Sequence, residues 1–371
     1  MIIGNAMVFT NGEFVHGAVE VCNGTIAAVG NIPGPFDVDA NGNYLVPGFV
    51  DIHTHGAVGA DFSDGSGDAL KDLSRYYAQH GTTSFLATTM TLKEEKLLPA
   101  MHCIRDFQRP DRGAKCAGIH LEGPFLSANK RGAQALENLH RPDAQMFCRL
   151  NEASGNQVRM ITVAPEADGA IDFIMEAAKT CTVSLGHTET DYDTAMAAFQ
   201  AGASHVTHLF NCMPALHHRA PGLIGAAVDS GATVELICDG LHIHPSVIRA
   251  AYKLFGDQIV VVSDSLRCAG MADGQYELGG QQICVKDGKA TLAGTDTLAG
   301  SSVCLLEEIR NLVRFGIPLA DAVTAATYTP AKAAGLADRI GSVATGLQAD
   351  LVLLTPELEL DAVFVDGEKI L

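Results

Sequence analysis

The two ends of the chain differ from its middle in how apolar and polar positions alternate. Near the N-terminus, short β-forming runs are separated by the turn pairs Asn11-Gly12 and Asn23-Gly24. Near the C-terminus, the run Val363–Val365 is followed by the turn pair Asp366-Gly367. Asn-Gly and Asp-Gly pairs between such runs are typical of tight hairpins. Because the few strands at each end are too few to be stable alone, both ends are predicted to form one small β-sandwich domain.

The middle of the chain alternates apolar strand-like runs with amphipathic helical segments, which is the pattern of a parallel α/β fold. One helix is predicted over Asp191–Ala201, starting at a Thr190-Asp191 cap and ending before Gly202. The eight predicted strands lie around Tyr44–Thr54, Thr82–Thr88, Cys116–Leu121, Val158–Val163, Thr182–Leu185, His205–Phe210, Thr233–Cys238 and Gln258–Ser263. Eight strand–helix units over about 290 residues favour a TIM-like (β/α)8 barrel over an open sheet. The predicted organisation is a barrel domain of residues 47–339 and a discontinuous β-sandwich domain of residues 1–46 and 340–371.

Composition and charge then restrict the class of protein. The chain is 47% hydrophobic and 18% charged, which describes a soluble protein with a large core. Its 25 Lys+Arg against 43 Asp+Glu give a net charge of −18, which argues against nucleic acid or an acidic membrane as partner. No apolar run approaches the ~18 residues of a membrane helix. The N-terminus has no secretory signal pattern, so a cytoplasmic location is expected.

Side chains that can bind a metal stand at the ends of several predicted strands. His53 and His55 are two residues apart at the end of the first strand, so both imidazoles can point to the same face. Glu122 ends the third strand. The donors on later strands are His187, His208 and Asp264. Each residue alone could be a capping acid or a hydrogen-bonded core histidine, but together they are predicted to meet at the rim where barrel enzymes build their sites.

Imidazole and carboxylate ligands suit Zn, Fe or another divalent metal. Four histidines and two acids are more than one open catalytic ion needs, so one or two ions per subunit are expected, with Glu122 able to bridge two. In this arrangement Asp264 is predicted to act as the proton shuttle.

The run Val46–Gly56 looks like the strand-one signature of the amidohydrolase superfamily. Five further segments together resemble the N-acetylglucosamine-6-phosphate deacetylases, and they are His120–Pro124, Gly186–Thr188, Thr207–Pro214, Cys238–His242 and Val262–Asp264. The similarity extends over nearly the whole chain. It implies hydrolysis of the N-acetyl group of N-acetylglucosamine 6-phosphate, giving glucosamine 6-phosphate and acetate, with a metal-bound hydroxide as the nucleophile.

The resemblance also implies a role for each metal-binding candidate. The principal metal would be bound by Glu122, His187 and His208. His53 and His55 would help to bind a second metal, close to Asp264. Because some members of the family lack the His-x-His pair and work with one metal, the number of ions stays open. Asp264 would be the catalytic base and acid, first taking a proton from the water and later giving it to the leaving amine.

For the substrate, the resemblance places the phosphate against Asn211 and Cys212, with positive charge from Arg219 and His242. Arg219 would reach the neighbouring active site across a homodimer interface, and guanidinium geometry suits a phosphate. Gln134 stands where some members carry a substrate-contacting histidine. An amide can donate to a carbonyl or a hydroxyl group but carries no charge, so the role of Gln134 in binding substrate is a hypothesis.

Three alternatives remain open. A deacetylase for the galactosamine isomer differs by one inverted hydroxyl group, which leaves no recognisable trace in the sequence. A cyclic amidase of the same superfamily would carry a bridging lysine on strand four, and Val158–Pro165 contains none. A non-catalytic barrel scaffold would be expected to have lost ligands, whereas all six are present.

Overall fold

A computed structural model describes all 371 residues. The strands are β1 (Ile2–Thr10), β2 (Glu13–Cys22), β3 (Thr25–Gly30), β4 (Val38–Asp39), β5 (Tyr44–Pro47), β6 (Phe49–Thr54), β7 (Gly56–Ala57), β8 (Ala60–Asp61), β9 (Thr82–Thr89), β10 (Lys115–Glu122), β11 (Val158–Val163), β12 (Thr182–Leu185), β13 (His205–Val206), β14 (Thr233–Leu236), β15 (Ile259–Val261), β16 (Gly274–Leu278), β17 (Gln281–Lys286), β18 (Lys289–Leu292), β19 (Leu351–Leu354), β20 (Leu360–Val365) and β21 (Glu368–Lys369). The helices are α1 (Gly67–Gln79), α2 (Glu94–Arg105), α3 (Ala144–Ala153), α4 (Ala170–Ala177), α5 (Tyr192–Gln200), α6 (Gly222–Ser230), α7 (Pro245–Phe255), α8 (Leu305–Arg314), α9 (Leu319–Ala326) and α10 (Tyr328–Ala333).

Eight parallel strands form the central sheet in chain order, from β6 through β9–β15. The sheet closes into a barrel because the segment after β15 hydrogen-bonds to the end of β6. The N–H of Asp264 donates to the carbonyl oxygen of His53 at 2.9 Å, and the N–H of His55 donates to that of Ser265 at 2.8 Å. The prediction of a (β/α)8 barrel is therefore confirmed, and closure brings the ends of the first and last strands together.

Two predicted strands were wrong in their extent. The run Tyr44–Thr54 is divided at Gly48 into β5, which belongs to the terminal sheet, and β6, which begins the barrel. A Cβ atom on Gly48 would lie 2.1 Å from Thr83 Oγ1, so only glycine permits this close crossing. The sixth barrel strand keeps only two residues of the predicted His205–Phe210, because the backbone becomes left-handed at His208, with a φ of 27°.

Strands from both ends of the chain form the second large sheet, in the order β21, β20, β19, β5, β1, β2, β3, with β4 beside β1. Asn11 and Gly12 have φ values of 50° and 81°, the left-handed pair that a tight hairpin turn needs. The sheet folds over on itself, since Ile26 N donates to the carbonyl oxygen of Leu347 at 2.8 Å. A separate apolar core of 14 buried residues lies inside it. The terminal β-domain is confirmed, whereas its boundaries at residues 46 and 340 stay a prediction.

The helices pack around the barrel and contribute to its core of 68 buried residues. The predicted helix Asp191–Ala201 is present as α5, with the Asp191 side chain accepting from Thr194 N at 2.8 Å. After the last barrel strand, β16–β18 form a separate three-stranded sheet beside the carboxyl end of the barrel. None of the helices combines the length and the apolar character that crossing a membrane requires.

Candidate active site

The six metal-binding candidates all lie at the carboxyl ends of the barrel strands, and all six are buried. Their exposed fractions do not exceed 7%. They form two groups, which we call the first triad and the second triad. The first triad is Glu122, His187 and His208, and the second triad is His53, His55 and Asp264.

In the first triad, three ligand atoms lie 3.0–3.1 Å from one another. Glu122 Oε1 is 3.1 Å from His187 Nε2 and 3.1 Å from His208 Nε2, and the two imidazole nitrogens are 3.0 Å apart. The Nδ1 of His187 lies 2.8 Å from the carbonyl oxygen of Lys130, so that nitrogen carries the ring proton and Nε2 keeps its lone pair. This geometry directs three donor atoms at one point.

The second triad shares the Glu122 carboxylate with the first. His53 Nε2 lies 3.4 Å from Glu122 Oε1 and 3.5 Å from Asp264 Oδ1. His55 Nε2 lies 3.3 Å from Glu122 Oε2 and 3.4 Å from Asp264 Oδ1. Glu122 therefore stands between the triads, with one oxygen toward the first and both oxygens toward the second.

The chemistry of this donor set fits divalent cations. His53 Nε2 is buried without a hydrogen-bond partner, although it faces two carboxylates. Burial disfavours the charged form of His55, but Asp264 and Glu122 outweigh burial and raise the pKa of His55 to about 9. The buried carboxylates thus attract positive charge to this place. Zinc and iron prefer imidazole nitrogens and carboxylate oxygens as ligands, and binding such an ion releases the proton from the imidazole.

The rim that carries the triads has an unusual backbone. His187, His208 and Asp264 have left-handed φ values of 48°, 27° and 46°. Phe210 and Cys212, on the segment after β13, are left-handed as well. Non-glycine residues in this region are uncommon, and they cluster at functional sites where surrounding contacts hold them in place. Asp264 is held in this way by two backbone hydrogen bonds. Its N–H donates to the carbonyl oxygen of His53, and its own carbonyl oxygen accepts from the N–H of Ser301 at 2.8 Å.

Both triads open onto a cavity of about 360 Å³. The predicted substrate-binding residues that line it are Gln134, Asn211, Cys212 and His242. Arg219 does not line it. This exposed side chain lies beside His218 in the loop before α6, with the Nη1 of Arg219 2.7 Å from His218 Nε2.

The chain matches the model of the amidohydrolase family over residues 44–370. It belongs to that family. Among the relatives of this amidohydrolase is the N-acetylglucosamine-6-phosphate deacetylase of Bacillus subtilis, 36% identical over 97% of this chain and 94% of the relative. An N-acetylgalactosamine-6-phosphate deacetylase of Escherichia coli O157:H7 is 32% identical over 94% of this chain and 93% of its own length.

A solved structure extends the likeness to the fold. It is the N-acetyl-D-glucosamine-6-phosphate deacetylase of Mycobacterium smegmatis, an aspartate-to-alanine mutant in complex with N-acetyl-D-glucosamine-6-phosphate. It is 34% identical to this chain, superimposes with a TM-score of 0.94, and the match covers 100% of this chain and 99% of the other. The predicted family and fold class are thus confirmed.

Gln134 lines the cavity of this amidohydrolase, as its assignment to substrate binding requires, and it also contacts the protein at both ends of its amide. Its Nε2 donates to Glu122 Oε2 at 2.5 Å, and its Oε1 accepts from Thr91 N at 2.9 Å. Both ends of the amide are therefore engaged by the protein. The side chain lines the cavity, but its first contact is with the carboxylate that the two triads share.

Two acids that support the site were not recognised in the sequence. Glu235 in β14 accepts from His53 Nδ1 at 2.8 Å and is completely buried. Asp239 accepts from His242 Nδ1 at 2.8 Å. Burial disfavours a charged His242, but the carboxylate of Asp239 outweighs burial and raises the pKa of His242. The sequence feature that could have identified Glu235 is the presence of a glutamate inside the apolar run Ala232–Cys238.

Proposed function

We propose that this amidohydrolase removes the N-acetyl group of N-acetylglucosamine 6-phosphate, releasing acetate and glucosamine 6-phosphate. The observation that carries the proposal is the pair of triads sharing Glu122 at the base of a cavity lined by His242 and Asn211. Metal ligands and groups suited to an anion thus occupy one cavity. The deacetylases named for this substrate that resemble the chain over nearly its whole length support the same assignment.

We assign one or two divalent ions, Zn or Fe, to the two triads of each subunit. The first triad would hold the principal ion, and the second triad would hold another ion with Glu122 shared between them. Divalent ions in such a site lower the pKa of bound water and polarise a carbonyl group. The buried, unpartnered Nε2 of His53 supports a cation at the second triad as well as at the first.

Asp264 is assigned the proton transfers. It lines the cavity and is held by the backbone contacts that close the barrel. Burial raises the pKa of a carboxyl group, but His53 and His55 outweigh burial and lower the pKa of Asp264, so it is ionised and able to act as a base. It takes a proton from the attacking water as the C–O bond forms. It then gives that proton to the nitrogen as the C–N bond breaks, so that the amine leaves neutral.

The phosphate is assigned to the part of the cavity formed by Asn211, Cys212 and His242. Because Asp239 favours the charged form of His242, that imidazole supplies positive charge beside a dianionic group at pH values below its raised pKa. Arg219 is exposed in its own subunit, and we place it in the neighbouring active site of a homodimer. Leu216, half exposed at 50%, lies in the same loop and would add apolar surface to this interface. A cytoplasmic location remains part of the proposal.

A second candidate substrate is the galactosamine isomer, favoured by the 32% identical relative that bears its name. The test compares kcat/KM for acetate release from three sugars with zinc-loaded or iron-loaded protein. They are N-acetylglucosamine 6-phosphate, its galacto isomer and unphosphorylated N-acetylglucosamine. The proposal expects the first to be the best substrate and the unphosphorylated sugar to be poor. Equal rates with and without phosphate would contradict the assignment of His242 and Arg219.

A further inference from the structure

Glu235 is a completely buried acid that the proposed reaction does not use. It lies within β14, beside both triads. Its Oε2 accepts from His53 Nδ1 at 2.8 Å and from the backbone N–H of His208 at 2.9 Å. Its Oε1 lies 3.1 Å from His205 Nε2. One carboxylate therefore contacts a residue of each triad. His205 and His208 belong to the adjacent strand β13 and the segment after it, whereas His53 belongs to β6.

The contact with His53 fixes which ring nitrogen is free. A carboxylate only accepts hydrogen bonds, so the proton of His53 lies on Nδ1 and the lone pair lies on Nε2. That Nε2 is buried, has no hydrogen-bond partner and faces Glu122 and Asp264 at 3.4 and 3.5 Å. A lone pair aimed at two carboxylates is unfavourable unless a cation lies between them. The arrangement is the one that carboxylates impose on metal-binding histidines.

The contact with His208 holds a strained backbone. His208 has a φ of 27°, which non-glycine residues rarely adopt. Its N–H donates to the Glu235 side chain, and the next N–H, that of Leu209, donates to the Glu235 carbonyl oxygen at 2.8 Å. The segment that presents His208 to the first triad is thus held by one residue of the adjacent strand.

We infer that Glu235 is a positioning residue that links the two triads, because it selects the cation-binding tautomer of His53 and holds the backbone of His208. The inference rests on the proposed metal-dependent function, since Glu235 acts on the reaction only through these ligands. Removing the charge of Glu235 is expected to weaken binding of the weakest-held ion by about 10- to 100-fold, the usual effect of losing such a partner.

The test uses Glu235→Gln, with Glu308→Gln as the matched control. Glutamine keeps the size of the side chain but removes its charge. The amide is a weaker acceptor for His53 Nδ1 and the His208 N–H, and it can turn its NH₂ toward His53, which favours the opposite tautomer. Glu308, in α8, is also a completely buried glutamate, and its carboxyl oxygens have no hydrogen-bond partner. Each protein is stripped with chelator and titrated with Co²⁺, with bound ions counted after equilibrium dialysis and the visible absorption recorded.

Wild type and Glu308→Gln are expected to bind Co²⁺ alike. Glu235→Gln is expected to bind its most weakly held Co²⁺ ion with lower affinity than wild type and to have an altered cobalt absorption spectrum. A cooperative thermal unfolding transition should show that the variant is still folded. A Glu235→Gln protein that binds as many ions as wild type, with affinities within about twofold, would overturn the inference, since lost partners cost about tenfold or more.

If Glu235→Gln does not fold, the wild-type protein still decides the question. NMR of the zinc-loaded protein labelled with ¹⁵N-histidine reports the tautomer of each ring, with His53 assigned by His53→Asn. A proton on Nδ1 of His53 is expected, and a proton on Nε2 would overturn the inference. Acetate release by wild type, measured in parallel, tests the proposed function separately, because its absence would leave the ion affinities and the tautomer measurable.

Discussion

The positive charge that His242 brings to the phosphate site depends on one buried carboxylate, that of Asp239. Asp239 Oδ2 lies 2.8 Å from His242 Nδ1, while Oδ1 accepts the backbone N–H groups of Leu241 and His242 at 2.8 and 2.9 Å. In Asp239→Asn the amide oxygen can keep the two backbone contacts. The amide NH₂ then faces the imidazole and favours the neutral ring with its lone pair on Nδ1.

The size of the effect follows from this contact. A hydrogen bond to a charged group contributes about 1.5–3 kcal/mol. Without the Asp239 carboxylate, burial of the ring is no longer outweighed, so the substitution is expected to lower the pKa of His242. His242 carries its charge below its pKa and loses it as the pH rises. The variant should thus lose phosphate affinity at a lower pH than wild type does.

The assay measures KM and kcat for N-acetylglucosamine 6-phosphate between about pH 5.5 and 9, the interval in which perturbed histidines titrate. KM of Asp239→Asn should begin to rise at the lower pH, with a smaller change in kcat. Asp229→Asn is the control, since Asp229 is exposed, contacts Tyr192 and lies outside the cavity. Identical KM profiles for wild type and Asp239→Asn would refute the reasoning.

Three further substitutions test separate parts of the account. Asp264→Asn should reduce kcat by about 10²- to 10⁴-fold while the ion of the first triad, counted by elemental analysis, persists. Unchanged turnover would exclude Asp264 as the base. Gln134→Ala removes the donor to Glu122 and should weaken metal binding by about tenfold in equilibrium dialysis. Wild-type affinity and turnover would exclude Gln134 from the site. Gly48→Ala places a Cβ atom against Thr83 and should lower the free energy of unfolding, measured with urea, by about 1–3 kcal/mol. A urea midpoint equal to that of wild type would contradict the close approach of Gly48 to Thr83.

Local rules were sufficient to predict the parts of the site that follow strand geometry. The two-residue spacing of His53 and His55 already placed both rings on one face, and the ends of parallel strands had to meet at one rim. Glu122, His187 and Asp264 were predicted as ligands because each stands where an apolar run ends. The structure brings them together, and their roles stay a proposal.

Contacts between distant segments could not be predicted in this way. Glu235 lies inside an apolar run, and its importance appears only when His53, 182 residues away, packs beside it. Gln134 is set in a loop whose sequence does not reveal that Glu122 is its acceptor. The early end of β13 depends on the left-handed backbone at His208, which is held by tertiary hydrogen bonds rather than by local propensity.

The most direct test of the central claim is acetate release from N-acetylglucosamine 6-phosphate by purified protein before and after its metal is removed. The account predicts that chelator-stripped protein releases no acetate and that adding Zn²⁺ or Fe²⁺ restores the activity. Activity that persists in protein shown by elemental analysis to be free of metal would contradict the role given to the two triads. A failure to release acetate with any supplied metal would contradict the proposed substrate.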